Sequence, residues 1–110
     1  MILPLINSEG QFCFLDTQEI IYIQTNGVGN IYIHSFDEKY RAMSMMRDWS
    51  LLLRNSDFMQ MDRGTIVNTR NIVSYDPILN VVGILASNGE VSIPVSHKMI
   101  STVRKHLNKI

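Results

Sequence analysis

Three places in this 110-residue chain carry side chains suited to contacting a polynucleotide. Arg63 stands between Asp62 and Gly64, at a break inside the run Phe58 to Asn68, where an alternating strand stops and an apolar strand begins. A guanidinium mounted on a short loop between two anchored strands presents a planar fork of donors at a fixed position, as a guanine edge or a phosphate requires. Asn30 closes the stretch Asn26-Gly27-Val28-Gly29-Asn30, whose glycines and asparagines predict positive φ angles and a projecting loop. Asparagine pairs bidentately with adenine. Ser96, His97 and Lys98 fall at a predicted helix start, where backbone N–H groups and a lysine hold a phosphate. Each feature also has a plainer use: a solvated turn arginine, turn-forming asparagines, a serine that only caps its helix.

Catalytic chemistry is not written in the chain. His34 lies on a different element from His97 and His106, and none of the three has Cys-rich or Glu-rich surroundings. Gly27-Val28-Gly29 is too short for a dinucleotide-binding fingerprint and precedes a strand, not a helix. Cys13 has no second cysteine to bridge and no zinc spacing, so a small buried apolar role in a reducing compartment is expected. The expectation is a protein that is not an enzyme and uses no metal and no cofactor.

The ten basic and ten acidic side chains balance, so any polynucleotide must be held by local clustering. Such clustering exists at the end of the chain. No carboxylate side chain follows Glu90, whereas Lys98, Arg104, Lys105 and Lys109 do. No run approaches the roughly eighteen apolar residues of a membrane span, and no leader pattern is seen, so a soluble, cytoplasmic protein without membrane contact is expected. The length suits a single domain over residues 1–110.

The elements that must position these residues are mostly strands. Ile2 to Ile6, with Pro4, predicts an edge strand or lead-in. Phe12 to Leu15 and Glu19 to Thr25 predict adjacent, largely buried strands joined at Asp16-Thr17-Gln18. Ile31 to Phe36 follows as the return of a hairpin, with Ile31, Ile33 and Ser35 on one face and Tyr32, His34 and Phe36 on the other. Lys39 to Ala42 is a further short strand. The period then changes: Met45, Met46, Trp49, Leu52 and Leu53 predict an amphipathic helix over 45–54, capped at Ser44 and stopped at Asn55. Trp49 should plug one end of a sheet layer. After the Arg63 segment, Asn71 to Tyr75, Val81 to Leu85 and Val91 to Ile93 predict strands, the last two joined at Asn88-Gly89. Pro94 ends the last of them. Ser96 then caps a helix over 97–107 that docks through Ile100, Val103 and Leu107.

In order and in residues this pattern resembles the LytTR-type DNA-binding domain of bacterial transcription regulators. The central family motif, Phe-x-Arg-x-His-Arg-Ser-x-Ile-Val-Asn, is matched at Phe58, Arg63, Ile66, Val67 and Asn68. Glu19-Ile20-Ile21-Tyr22-Ile23 is similar to an upstream family strand, and Asn88-Gly89 with Ile93-Pro94-Val95-Ser96 to its closing strand and Pro-Val-Ser element.

The resemblance implies a mainly β fold, an elongated stack of small antiparallel sheets, that enters successive major grooves of double-stranded DNA through loops. It implies DNA contacts at Asn30, Arg63, Ser96, His97 and Lys98, with Asn68 left to backbone hydrogen bonding. It also implies a homodimer on repeated half-sites and a signalling partner, whether Met1 begins a stand-alone regulator or the chain is a fragment. Departures fall at Gln60, Asp62, Gly64 and His97, where the family usually has arginine, histidine, serine and arginine. The loss of positive charge predicts weaker or differently specific binding, and Asp62 either accepts from cytosine, orients Arg63 or repels a phosphate. A related β module acting in protein interaction, with DNA binding weakened or lost, is the alternative reading.

Overall fold

The computed structural model describes residues 1–28, 30–42, 49, 53, 57–86 and 89–107. Ten strands occupy most of that length: β1 (Ile2–Ile6), β2 (Phe12–Asp16), β3 (Ile20–Thr25), β4 (Ile31–Ser35), β5 (Lys39–Ala42), β6 (Phe58–Asp62), β7 (Thr65–Asn68), β8 (Ile72–Asp76), β9 (Val81–Ala86) and β10 (Gly89–Pro94). They form two antiparallel sheets. One has seven strands in the order β2-β1-β5-β4-β3-β7-β6, the other three in the order β10-β9-β8. Short 3-10 turns at Thr17–Glu19 and Thr69–Asn71 lead into β3 and β8. The molecule measures 41 × 27 × 26 Å, so it is elongated.

β3 explains why the large sheet has a core on each side. Its first four residues are all buried, with Ile20 and Ile23 in one apolar cluster and Ile21 and Tyr22 in the other. A strand covered on both faces reads as a continuous apolar run instead of an alternating one. The first cluster adds Leu3, Leu5, Leu15, Ile31, Ile33 and Ile66. The second joins Met61 and Val67 to Val82, Ile84 and Ile93 of the small sheet and Val103 of the C-terminal helix. Each such side chain, fully buried, contributes about 1.5–3 kcal/mol.

Two strand expectations are corrected by long-range pairing. Phe12–Leu15 is not beside β3 and is not largely buried: β2 is the outer strand of the sheet, and Phe12 and Phe14 point to solvent. β1 in turn is not an edge strand, because it lies between β2 and β5. Pro4 is nonetheless tolerated, since β5 meets β1 only at Ile6 and leaves no ladder bond for residue 4 to donate. Cys13 is half-buried, with its Sγ 3.6 Å from the Leu5 carbonyl.

Of the predicted helix over 45–54, Trp49 and Leu53 lie within the described residues, and both are helical and buried in the first cluster. Its other positions, with Ser44 and Asn55, lie outside them, as do Asn88 and Lys109. Gly89 does pair with Ala86 across the expected hairpin, at a φ of +114° that favours glycine. The C-terminal helix begins later than predicted. His97–Met99 form a 3-10 turn and the α-helix runs over Ile100–Leu107, with Val103 buried.

Candidate nucleic-acid interface

The Arg63 turn is built by the register of its own hairpin. Gln60 pairs with Ile66 and Asp62 with Thr65, with a shift between the two that bulges β6 and leaves Arg63 and Gly64 as the connection. The turn is then tied down at its backbone. The Asp62 carboxylate accepts the Gly64 N–H at 2.8 Å, and the Gln60 amide donates to the Arg63 carbonyl at 3.5 Å. The Arg63 side chain stays exposed. Asp62 makes no ion pair with it; the ion pairs among the described residues join Met1 to Asp16 and Arg70 to Asp57. Asp62 thus serves the turn directly, an effect that a side-chain carboxylate two residues before an N–H commonly has.

Two backbone bonds draw the other predicted segments to this turn. The Thr25 N–H donates to the Gly64 carbonyl at 2.9 Å, which sets the end of β3 and the loop after it beside Arg63. In that loop Asn26 is the organiser: its Oδ1 accepts from Val28 N–H at 3.0 Å and Asn30 N–H at 3.3 Å. Asn30 is exposed at the loop's end. From the other segment, the Ser96 N–H donates to the Met61 carbonyl at 2.8 Å.

The result is an open hollow of about 380 Å³ lined by Gln60, Asp62, Arg63, Ser96, Lys98 and Met99. Arg63 and Lys98 bring two cations and Asp62 one carboxylate, and the Ser96 hydroxyl makes no capping bond to the helix, contrary to expectation. The helix needs none there, because Met99 N–H is already taken by the Ser96 carbonyl at 2.9 Å. Such a set of donors can hold an anionic oxygen or a base edge. His97 is exposed next to the hollow but does not line it, and Asn30 stands outside it. Gln60 and Met99 were not singled out by sequence as lining residues. Asn68 is placed as expected: buried, donating to the Ile20 carbonyl at 2.9 Å and accepting from Arg70 N–H at 3.2 Å.

His34 belongs to packing. Its ring stacks on Tyr22 with centroids 4.1 Å apart and planes at 5°. Burial, with Lys39 nearby, lowers its pKa to about 4, and burial raises that of Tyr22. Among the described residues no group of three or more His, Cys, Asp or Glu side chains is placed to hold a metal ion, and no helix is long and apolar enough to cross a membrane.

The LytTr DNA-binding domain model matches residues 10–108, which include β2 to the C-terminal helix and all three segments of the site. This chain belongs to the LytTr DNA-binding domain family. Its sequence is 30% identical over 94 residues to the sensory transduction protein LytT of Bacillus subtilis (strain 168), covering 86% of this chain and 39% of that protein. The chain therefore spans well under half the length of that relative. The fold is similar to a solved LytTr DNA-binding domain from Bacillus cereus, with a TM-score of 0.78 over 96% of this chain and 95% of that one, at 20% identity. The LytTr family is one of DNA-binding domains, so DNA is the partner that family membership gives this chain.

Proposed function

We propose that this LytTr domain is a cytoplasmic, sequence-specific transcription regulator that reads the major grooves of double-stranded DNA through its loops. The observation that carries the reading is the convergence of Arg63, Ser96 and Lys98, from segments more than thirty residues apart in the chain, on one open hollow. Arg63 is the main base reader, by bidentate donation to guanine. Asn30 and His97, exposed to either side of that turn in the sequence, supply supporting base or phosphate contacts. Ser96 and Lys98 hold the phosphate backbone, a role that positions the protein without reading sequence. Two copies on repeated half-sites, under a signalling partner, fit the same reading.

The test is selection of bound sequences from random duplex at low salt, followed by titration with salt. An enriched motif is expected, and Arg63→Ala should cost about 1–3 kcal/mol on it and relax preference at one position. Lys98→Ala should weaken all duplexes alike and flatten the salt dependence. If Arg63→Ala bound the selected site and random duplex as the parent does, Arg63 would not be the reader. The balanced charge and the carboxylate at Asp62 favour a second reading, a module for protein interaction; absence of any enriched site would select it.

A further inference from the structure

The seven-stranded sheet ends in β6 on one side and β2 on the other. The β6 edge is met from within the chain, where the Ser96 N–H donates to the Met61 carbonyl at 2.8 Å. β2 pairs with β1 alone. The phase of that ladder is fixed at its two ends: the Asn7 N–H donates to the Gln11 carbonyl at 2.9 Å, and the Thr17 N–H to the Met1 carbonyl at 2.8 Å. Bonded and unbonded pairs alternate in an antiparallel ladder. Leu5↔Cys13 and Leu3↔Leu15 are therefore the bonded pairs between those ends. Phe12, Phe14 and Asp16 turn their N–H groups outward, and Phe12 and Phe14 their carbonyls, while the Asp16 carbonyl leads into the 3-10 turn that Asp16 caps. Pro4, which has no N–H, stands opposite Phe14 and fits this phase. Among the described residues no other backbone group bonds to the outward ones.

Nothing on β2 blocks a further strand. Open edges are usually guarded by a lysine, a proline or a bulge. Phe12-Cys13-Phe14-Leu15-Asp16 has none of these, and its register with β1 runs without a shift. Phe12 is 83% exposed and Phe14 75%. Both share one sheet face with Ile2 and Pro4 of β1, also exposed, so an apolar strip runs along the open edge.

This edge is complementary to itself. The antiparallel two-fold register that overlaps the whole strand sets Phe14 opposite Phe14 of a second copy and Phe12 opposite its Asp16. The outward groups then meet: the two Phe14 residues exchange both of their bonds, and each Asp16 N–H reaches a Phe12 carbonyl. Like charges stay apart, because the two Asp16 residues end about 14 Å from each other along the strands. We propose that two copies of this chain join β2 to β2 in that register, making one continuous sheet with the two Phe14 rings side by side at the axis. The contact is isologous and closes at a dimer. Covering the strand edge and the exposed parts of two phenylalanines on each copy removes on the order of 1,000 Å² from water in total, the low end for a specific interface. The dimer is accordingly a weak one. Arg63 follows β6, at the opposite edge of the sheet, so both copies keep their Arg63 hollow open. This inference does not depend on the DNA reading above.

The test is sedimentation of the whole chain without DNA, up to about 1 mM protein. The weight-average mass should rise towards that of two copies and no further. In the same protein the amides of Phe14 and Asp16 should exchange with solvent several-fold more slowly at about 1 mM than at about 10 μM, a reading that needs no substitution. Phe14→Lys and Phe14→Glu, at an exposed position, should match the parent by circular dichroism. Each should be monomeric alone, because the two-fold sets like charges face to face, and an equal mixture should form a dimer through the opposite pair. A parent that stays monomeric throughout overturns the proposal, as does a mixture no more associated than its components. A dimer that leaves exchange at Phe14 and Asp16 independent of concentration also overturns it and places the contact on another surface.

Discussion

Thr25 and Gly64 interlock at the base of the two loops. The Thr25 N–H donates to the Gly64 carbonyl at 2.9 Å, and the Thr25 methyl stands 2.7 Å from where a Cβ on Gly64 would lie. The family's usual serine at position 64 therefore does not fit this chain unless Thr25 gives way. Gly64→Ser should destabilise the domain by about 1–3 kcal/mol through overpacking. Thr25→Ser, which removes the methyl, should recover most of that loss in the double variant, and urea denaturation of the four proteins measures the coupling.

Asp62 has two opposed effects that one substitution separates. Its carboxylate holds the Gly64 N–H, and its charge stands in the same hollow as Arg63 and Lys98. Asp62→Asn keeps an acceptor and removes the charge, so stability should change by less than about 0.5 kcal/mol while duplex affinity at low salt rises. Asp62→Ala should cost about 0.5–1.5 kcal/mol of stability from the lost hydrogen bond. Thermal melts paired with a salt titration of DNA binding distinguish the two.

Asn68 is a joint of the scaffold. Its amide bridges the Ile20 carbonyl of β3 and the Arg70 N–H across a buried position. Asn68→Ala leaves the Ile20 carbonyl without that donor and should cost about 1–3 kcal/mol. The DNA motif selected by the folded fraction should be unchanged, which comparison of selected sequences would show.

His34 makes stability depend on pH. Its pKa in the folded chain is lowered to about 4 by burial and by Lys39, from 6.5 in a free side chain. The unfolded chain therefore binds a proton that the folded chain refuses, and stability falls as pH drops from about 6.5 towards 4. Tyr22, stacked on the ring at 4.1 Å, is the group that protonation would most disturb. Melting temperatures of the parent and His34→Gln should differ in slope across that window; equal slopes would remove His34 from the account.

Much of this architecture is legible along the chain. The alternation of Ile31 and Ile33 against Tyr32 and His34 gives β4 and its faces, and the continuous apolar run of Ile20 to Ile23 gives a strand covered on both sides. Asn26 with Gly27 gives a projecting loop, and the break at Asp62-Arg63-Gly64 gives the turn that presents Arg63. These are local properties, since side-chain period and turn chemistry act over a few residues. The motif order from Glu19 to Ser96 points to the family.

Sheet order was not legible in that way. Phe12-Cys13-Phe14-Leu15 has the composition of a buried strand, yet only its pairing with β1 alone makes β2 an edge with its phenylalanines in water. The Ser96 cap failed for a related reason, because the Ser96 backbone is committed to Met61 and Met99. The sequence by itself thus determined the strands, the burial of β3 and the faces of β4, the turns and the residues with donors to offer. Tertiary structure alone decided that Thr25 locks Gly64, and that Arg63 shares a hollow with Ser96 and Lys98 while Asn30 and His97 stand outside it. The physical reason is that hydrogen bonds between distant backbone groups select among pairings that each strand's own pattern leaves equally acceptable.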